Sequence, residues 1–236
     1  MQQQVFFRGT LGLPEGVLPP QGVTLDIYTS GTETGDASSD QLITCSPYNM
    51  FFDYSACYVL IRASELNSLV SGGKTITGIE IENGVSGTAT MLDFKIQVGH
   101  TTNSFLATSG GCETHFPSSS TSFVNSVSNL TTCFDANYFP SGNSWNAVSF
   151  STNFIFNGTD NIVIFMTNQS GQYVISNRPK FKYGARNLSF RSALFQSDFS
   201  SSQNPFTAAD SQSMLTTDST TPASVNGSFP NLKIKY

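Results

Sequence analysis

Charge is what this sequence has least of. Asp, Glu, Lys and Arg together make up 11% of its 236 residues, against about 25% in an average globular protein. The net charge is -5, and the cations are scattered. The nearest approach to a basic cluster is Arg178, Lys180, Lys182 and Arg186. A phosphate backbone needs several cations on one face, so nucleic acid is not an expected partner, and these four residues read as a solvated strand. No run approaches the roughly 20 apolar residues of a membrane span, so membrane insertion is not expected. Histidine occurs only as His100 and His115, and no Gly-x-Ser-x-Gly elbow is present, which leaves a Ser–His hydrolase without its local signature. The opening Met1-Gln2-Gln3-Gln4-Val5-Phe6-Phe7-Arg8 lacks the basic segment and apolar run of a signal peptide. If Met1 is the native start, synthesis in a cytoplasm is expected.

What replaces charge is Ser, Thr, Asn, Gln and Gly, around a core supplied in part by 20 Phe. A solvated disordered tail needs high net charge and few aromatics, so this composition argues for structure. Neutral hydroxyl- and amide-rich surfaces over aromatic cores are usual in extracellular β-sandwiches and in viral surface proteins. A chain of this length can bury a sizeable core without staples.

Strand signals recur at sandwich spacing. Residues 41–44 and 56–61 are β-rich. Residues 75–82 alternate, with Ile76, Ile79 and Ile81 as core candidates, and residues 92–99 turn Leu92, Phe94, Ile96 and Val98 to one face. Residues 146–151, 162–167 and 181–183 follow. The run 161–166 is almost continuously apolar, which predicts a central strand covered on both faces. Residues 229–236 read as one closing strand. A single helix is predicted over 63–70, capped by Ser64, with Leu66, Leu69 and Val70 on one face and Gly72-Gly73 ending it. Residues 1–40 differ: Pro14, Pro19 and Pro20 break regular structure, and one strand is expected near 23–28. That region reads either as an extended arm that docks on a neighbouring subunit or as an extra edge strand.

The fold expected is therefore all-β, an antiparallel, jelly-roll-like β-sandwich over 41–236 with one short helix and an N-terminal arm over 1–40. No catalytic, cofactor-binding or metal-ligating residue is expected. Ser71-Gly72-Gly73-Lys74-Thr75 lacks the first glycine of a phosphate loop, since Ser68 stands there. Cys112, His115 and Cys133 offer three residue types that zinc takes, but the second close pair is missing, and they read as loop residues that never meet a metal. Glu33, Asp36 and Asp40 have calcium-type oxygens but no shown convergence. Asn129, Asn157, Asn168, Asn187 and Asn226 head glycosylation triplets, which arise by chance in a chain this rich in Asn, Ser and Thr. Cys45, Cys57, Cys112 and Cys133 permit three pairings; a Cys112–Cys133 bridge is one reading, and free buried thiols are the other if the chain folds in a reducing compartment. Trp145 reads as a core anchor rather than a sugar-stacking platform, whereas Tyr48, Tyr138 and Tyr173 flank turns and are candidates for an exposed contact surface.

Several blocks carry a resemblance. Ser46-Pro47-Tyr48, Tyr54-Ser55-Ala56-Cys57-Tyr58-Val59, Ala63-Ser64-Glu65-Leu66, Ile76-Thr77-Gly78-Ile79-Glu80-Ile81 and Ile96-Gln97-Val98-Gly99-His100-Thr101-Thr102 are among them, with residues 144–150, 154–164 and 229–234. Together they resemble a β-sandwich module of surface and adhesin-like proteins of Bacteroidota. The same module looks at home on phages infecting those bacteria, as head or tail fibre or decoration. The resemblance implies a structural or adhesive virion surface protein, made in the host cytoplasm and not an enzyme. Its expected partners are other virion proteins through the arm, further copies of itself in a homo-oligomer, and host cell-surface polysaccharide. The alternative is a secreted adhesin or carbohydrate-binding module expressed without its leader. Fold alone does not choose between them.

Overall fold

Alternation of apolar and polar residues becomes strand pairing across the described residues. A computed structural model describes residues 23–35, 47, 49–69, 74–85, 87, 89–104, 128–185, 191–197 and 228–236. The strands are β1 (Thr24–Tyr28), β2 (Glu33–Gly35), β3 (Tyr54–Ile61), β4 (Thr75–Val85), β5 (Met91–Thr101), β6 (Ser128–Tyr138), β7 (Trp145–Ile155), β8 (Asn161–Asn168), β9 (Lys180–Ala185), β10 (Ser192–Ser197), β11 (Ser228–Pro230) and β12 (Leu232–Lys235). All pair antiparallel. The first sheet runs β1-β12-β4-β9-β11, with β7 also on β4 and β2 on β9; the second runs β10-β3-β8-β5-β6. Between them lies one core, to which the first sheet sends Ile79, Ile81, Val148, Leu232 and Ile234 and the second sends Val59, Ile61, Phe94, Ile96, Ile164 and Met166. The all-β sandwich expected from the sequence is present. The predicted strand at 41–44 lies outside the described residues, as do residues 1–22. The strand expected near 23–28 is β1, paired with β12 of its own chain.

The apolar run at 161–166 is central as predicted: β8 sits between β3 and β5. All eight residues of β3 are buried. Tyr58 and Phe165, turned away from the inter-sheet core, stack at 4.1 Å between centroids. Complete burial pushes the Tyr58 hydroxyl well above its ordinary pKa.

Bulges move side chains between faces. Along β5, Met91 opposes Tyr138 and Phe94 opposes Ala136, so three steps on β5 answer two on β6. The extra residue brings Asp93 to φ 51°. Met91 is consequently buried, while Leu92 is only half-buried, which corrects the face assigned to Leu92. In β4 a register shift between Ile76 and Gly78 lets Ile76 and Ile79, three apart, both face the core. Gly78 runs so close to β7 that a Cβ there would lie 2.4 Å from the Val148 carbonyl oxygen. Further shifts place Cys133 as an extra residue of β6, which explains why β6 shows no clean period.

The cysteines follow from this. Cys133 is a free, buried thiol that donates to the Thr131 carbonyl at 3.4 Å, and burial pushes its pKa up to about 11. The Cys112–Cys133 bridge is therefore not formed. Cys57 is disulfide-bonded, with its partner outside the described residues.

The predicted helix is a 3-10 helix, Ala63–Leu69. Leu66 and Leu69 are both fully buried, and a spacing of three suits three residues per turn. Ser64 is exposed and is not the cap. Instead the Glu65 carboxylate accepts the Arg62 N–H at 2.9 Å, and Asn161 Oδ1 accepts the Ala63 N–H at 2.8 Å. Glu65 also takes both terminal guanidinium nitrogens of the buried Arg191, at 3.1 and 2.5 Å. This bidentate pair ties the helix to the segment entering β10.

The expected single closing strand is broken at Asn231. This residue is fully buried. Its Oδ1 accepts the Gly31 N–H at 3.0 Å, and its Nδ2 donates to the Gly31 carbonyl at 2.9 Å and to Glu82 Oε2 at 2.7 Å. The backbone passes from β9 to β4 at this point: the Asn231 N–H donates to the Lys182 carbonyl at 2.9 Å, and its carbonyl accepts the Glu82 N–H at 3.3 Å. The amide side chain adds the bonds that tie the junction between β11 and β12.

Candidate binding surfaces

One end of the second sheet carries two of the large apolar side chains that are exposed among the described residues. Residues 169–179, between β8 and β9, lie across residues 49–53, which lead into β3. The Val174 N–H donates to the Met50 carbonyl at 2.8 Å, and the Gly171 N–H to the Asp53 carbonyl at 3.0 Å. Gly171 has φ 60°, a conformation that glycine adopts freely. Two buried amides hold the crossing in place. Asn49 Oδ1 accepts the Phe51 N–H at 3.0 Å, Asn168 Nδ2 donates to the Asn49 carbonyl at 3.0 Å, and Asn168 Oδ1 accepts the Ser170 N–H at 3.2 Å.

Alternation in this extended segment sends Val174 toward the core and its neighbours outward. Tyr173 is 47% exposed and Ile175 68%. Behind them Phe51 meets the Tyr173 ring at 5.2 Å, inclined at 62°. The Arg178 guanidinium stands 4.7 Å over Phe51 and donates to the Ile175 carbonyl. An exposed aromatic on so braced a backbone loses little conformational entropy when a partner covers it. Of the three tyrosines proposed as contact residues, Tyr173 is placed so. Tyr138 is buried at 8% exposure, stacked 5.3 Å from Phe94, and desolvation pushes its hydroxyl well above its ordinary pKa. Tyr48 lies outside the described residues.

The solvent face of the first sheet is the second surface. Register aligns Asp26, Lys233, Glu80 and Ala147 across β1, β12, β4 and β7, and Trp145 opposite Glu82. Lys233 Nζ lies 3.5 Å from Asp26 and 4.3 Å from the Trp145 ring centre. Glu82 takes Lys182 at 2.7 Å. Trp145 is thus not the core anchor expected. On β7 the inward residues are Asn146, Val148 and Phe150, so Trp145 shares the outward face with Ala147 and Ser149. That parity was readable from the sequence, because Val148 and Phe150 lie three and five positions on and so fall on the opposite face. The basic residues do not converge either: Lys182 is held by Glu82 and Arg178 by Phe51, while Arg186 is outside the described residues.

At the opposite end of the second sheet, His100 Nε2 accepts the Asn157 N–H at 3.1 Å. Its ring lies against Phe154 at 4.7 Å. Desolvation lowers its pKa, opposed by the charge of Asp160. Asn157 folds its own turn: Oδ1 accepts from the N–H groups of Thr159 and Asp160, and Nδ2 donates to Asp160 at 2.7 Å. Among the described residues no three His, Cys, Asp or Glu side chains gather as a metal site. Cys112, His115, Asp36 and Asp40 fall outside them, and of Glu33 only the backbone is described. Of the glycosylation triplets, Asn168 is excluded by its burial and its bond to Asn49.

Sequence reasoning missed Phe51, Ile175 and Arg178. Only their convergence on Tyr173 marks them, and it joins segments about 120 positions apart in the chain, a distance at which no local pattern operates. No family model matches the chain, and neither does a curated protein or a solved structure.

Proposed function

We propose that this protein is a structural or adhesive component of a virion surface, a head or tail fibre or decoration protein of a phage infecting Bacteroidota, working by contact rather than by catalysis. The observation that carries the reading is the braced loop end, where Tyr173 and Ile175 stand out from a sandwich that is otherwise poor in charge. A contact surface needs fixed apolar side chains that a partner desolvates, and few fixed charges that it must leave unpaired. The disulfide at Cys57 agrees with work outside a reducing compartment, virion and cell surfaces included. The host-specific part rests on the resemblance of the sequence blocks, and the assembly part on the Pro- and Gly-rich residues before Val23.

The same disulfide favours a second reading from another class, a secreted bacterial adhesin or carbohydrate-binding module. Protein analysis of gradient-purified phage particles separates the two. A virion component is present at a fixed copy number per particle; a secreted module remains in the particle-free fluid. Assembly is tested by comparing the solution mass of the full chain with that of residues 23–236. That truncation leaves β1 on β12, so a loss of oligomers reports on the removed segment and not on a damaged sheet. Two monomers of unchanged stability would remove the assembly role.

A further inference from the structure

Tyr173 and Ile175 are two residues apart on one extended segment, both outward, and polar side chains border them. Gln172, Ser176 and Asn177 are all exposed. The result is a small apolar face with an amide and hydroxyl rim. Two side chains cannot supply the roughly 800 Å² that each partner contributes to a stable protein–protein interface, so a second copy of the chain is a poor fit. One pyranose ring is a good fit. Its axial C–H groups form an apolar face about as wide as a phenol ring, and its equatorial hydroxyls seek hydrogen-bond partners at the edge. A C–H face also prefers the electron-rich face of an aromatic ring. The Tyr173 ring is held for this by its inclined contact with Phe51, over whose ring the Arg178 guanidinium stands.

We infer that Tyr173 and Ile175 form a docking face for a pyranose ring of a polysaccharide, with Gln172, Ser176 and Asn177 as the hydroxyl-binding rim. This rests on the contact function proposed above and names its ligand class. Trp145 does not share the role, because Lys233 already covers its ring.

The test is affinity electrophoresis of the full chain through gels cast with a neutral β-glucan, a xylan or a polygalacturonate. At least one of these retards the wild-type chain. Tyr173→Ala weakens that retardation tenfold or more, Tyr173→Phe retains it, and Trp145→Ala leaves it unchanged. Each variant is first matched to wild type by thermal melting; if Tyr173→Ala is not matched, Ile175→Ser takes its place with the same loss expected. Failure of all three polysaccharides to retard wild type overturns the inference, as does equal retardation of the matched variant. So does concentration-dependent self-association that Tyr173→Ala abolishes, which marks the face as a contact between copies. Particle analysis is independent of these gels: a chain present in virions but retarded by no polysaccharide sinks the inference alone.

Discussion

Trp145 and Tyr173 are both aromatic residues on the solvent side of a strand or strand-like segment, yet they live in different chemistry. Trp145 lies inside a cross-strand network of alternating charge, with Lys233 over its ring. Tyr173 meets the Phe51 ring at an incline and keeps 47% of its surface open. Residue type does not separate them; what the neighbouring strands deliver does. In a sheet each side chain is flanked by partners set by register, and here register brings Asp26, Lys233 and Glu80 into one row. A loop laid across another loop has no such row, so its outward side chains stay uncovered. The sheet face is accordingly expected to govern stability, and the loop end to govern contact.

The strongest way to break this contrast is Asn231→Ala, beneath the sheet network. It strands the Gly31 backbone groups and loosens Glu82. A loss of about 2–4 kcal/mol is expected, from the lost hydrogen bonds and the buried groups left unmade. Urea denaturation measures it, and binding of the folded fraction should not change. A shift below half a kilocalorie would show that the junction of β11 and β12 is held by something else. Asn168→Ala sharpens the contrast from the other side, costing about 1–3 kcal/mol through the Asn49 and Ser170 bonds. Here contact is expected to weaken too, because residues 169–179 lose their brace. Hydrogen exchange at the Val174 amide should rise with it.

Lys233→Ala is smaller. Cation–π contact and an exposed ion pair are together worth about 0.5–1.5 kcal/mol. The chain has one tryptophan, so fluorescence reads the site alone, and its emission should move to longer wavelength as water reaches the indole. An unmoved spectrum would mean that Lys233 does not cover the ring. The smallest effect is at His100. Its folded pKa lies below the ordinary 6.5, so between those two values the unfolded chain binds more protons. Its contribution to stability is complete above pH 6.5 and is lost as pH falls through the folded value. The thermal midpoint should therefore drop modestly between pH 7.5 and 5, and His100→Gln should flatten that drop. An identical profile in the variant would assign the dependence to other groups.

Much of the fold was legible because a half-buried strand writes its burial every second residue. The run 75–82, with Ile76, Ile79 and Ile81, was read in this way, whereas the central run 161–166 was read from its almost continuous apolarity. Legibility failed where one residue was added. Leu92 lost its inward place to Met91 at the Asp93 bulge, and β6 went unread because Cys133 interrupts its period. The closing strand looked single because Leu232, Ile234 and Tyr236 alternate, while the break at Asn231 is carried by hydrogen bonds to Gly31 and Glu82, far away in the chain. Of the contact site only Tyr173 was visible, from its place beside a turn.

Composition and period by themselves determined that this chain forms antiparallel sheets around a shared apolar core with a weakly charged exterior, because both properties are local and repeat along the chain. Tertiary structure decided which cysteine is bonded, which aromatic is covered, and which loop presents a face. Those outcomes depend on register and on which distant segments cross, and burial has no local signature once two strands from opposite ends of the chain meet.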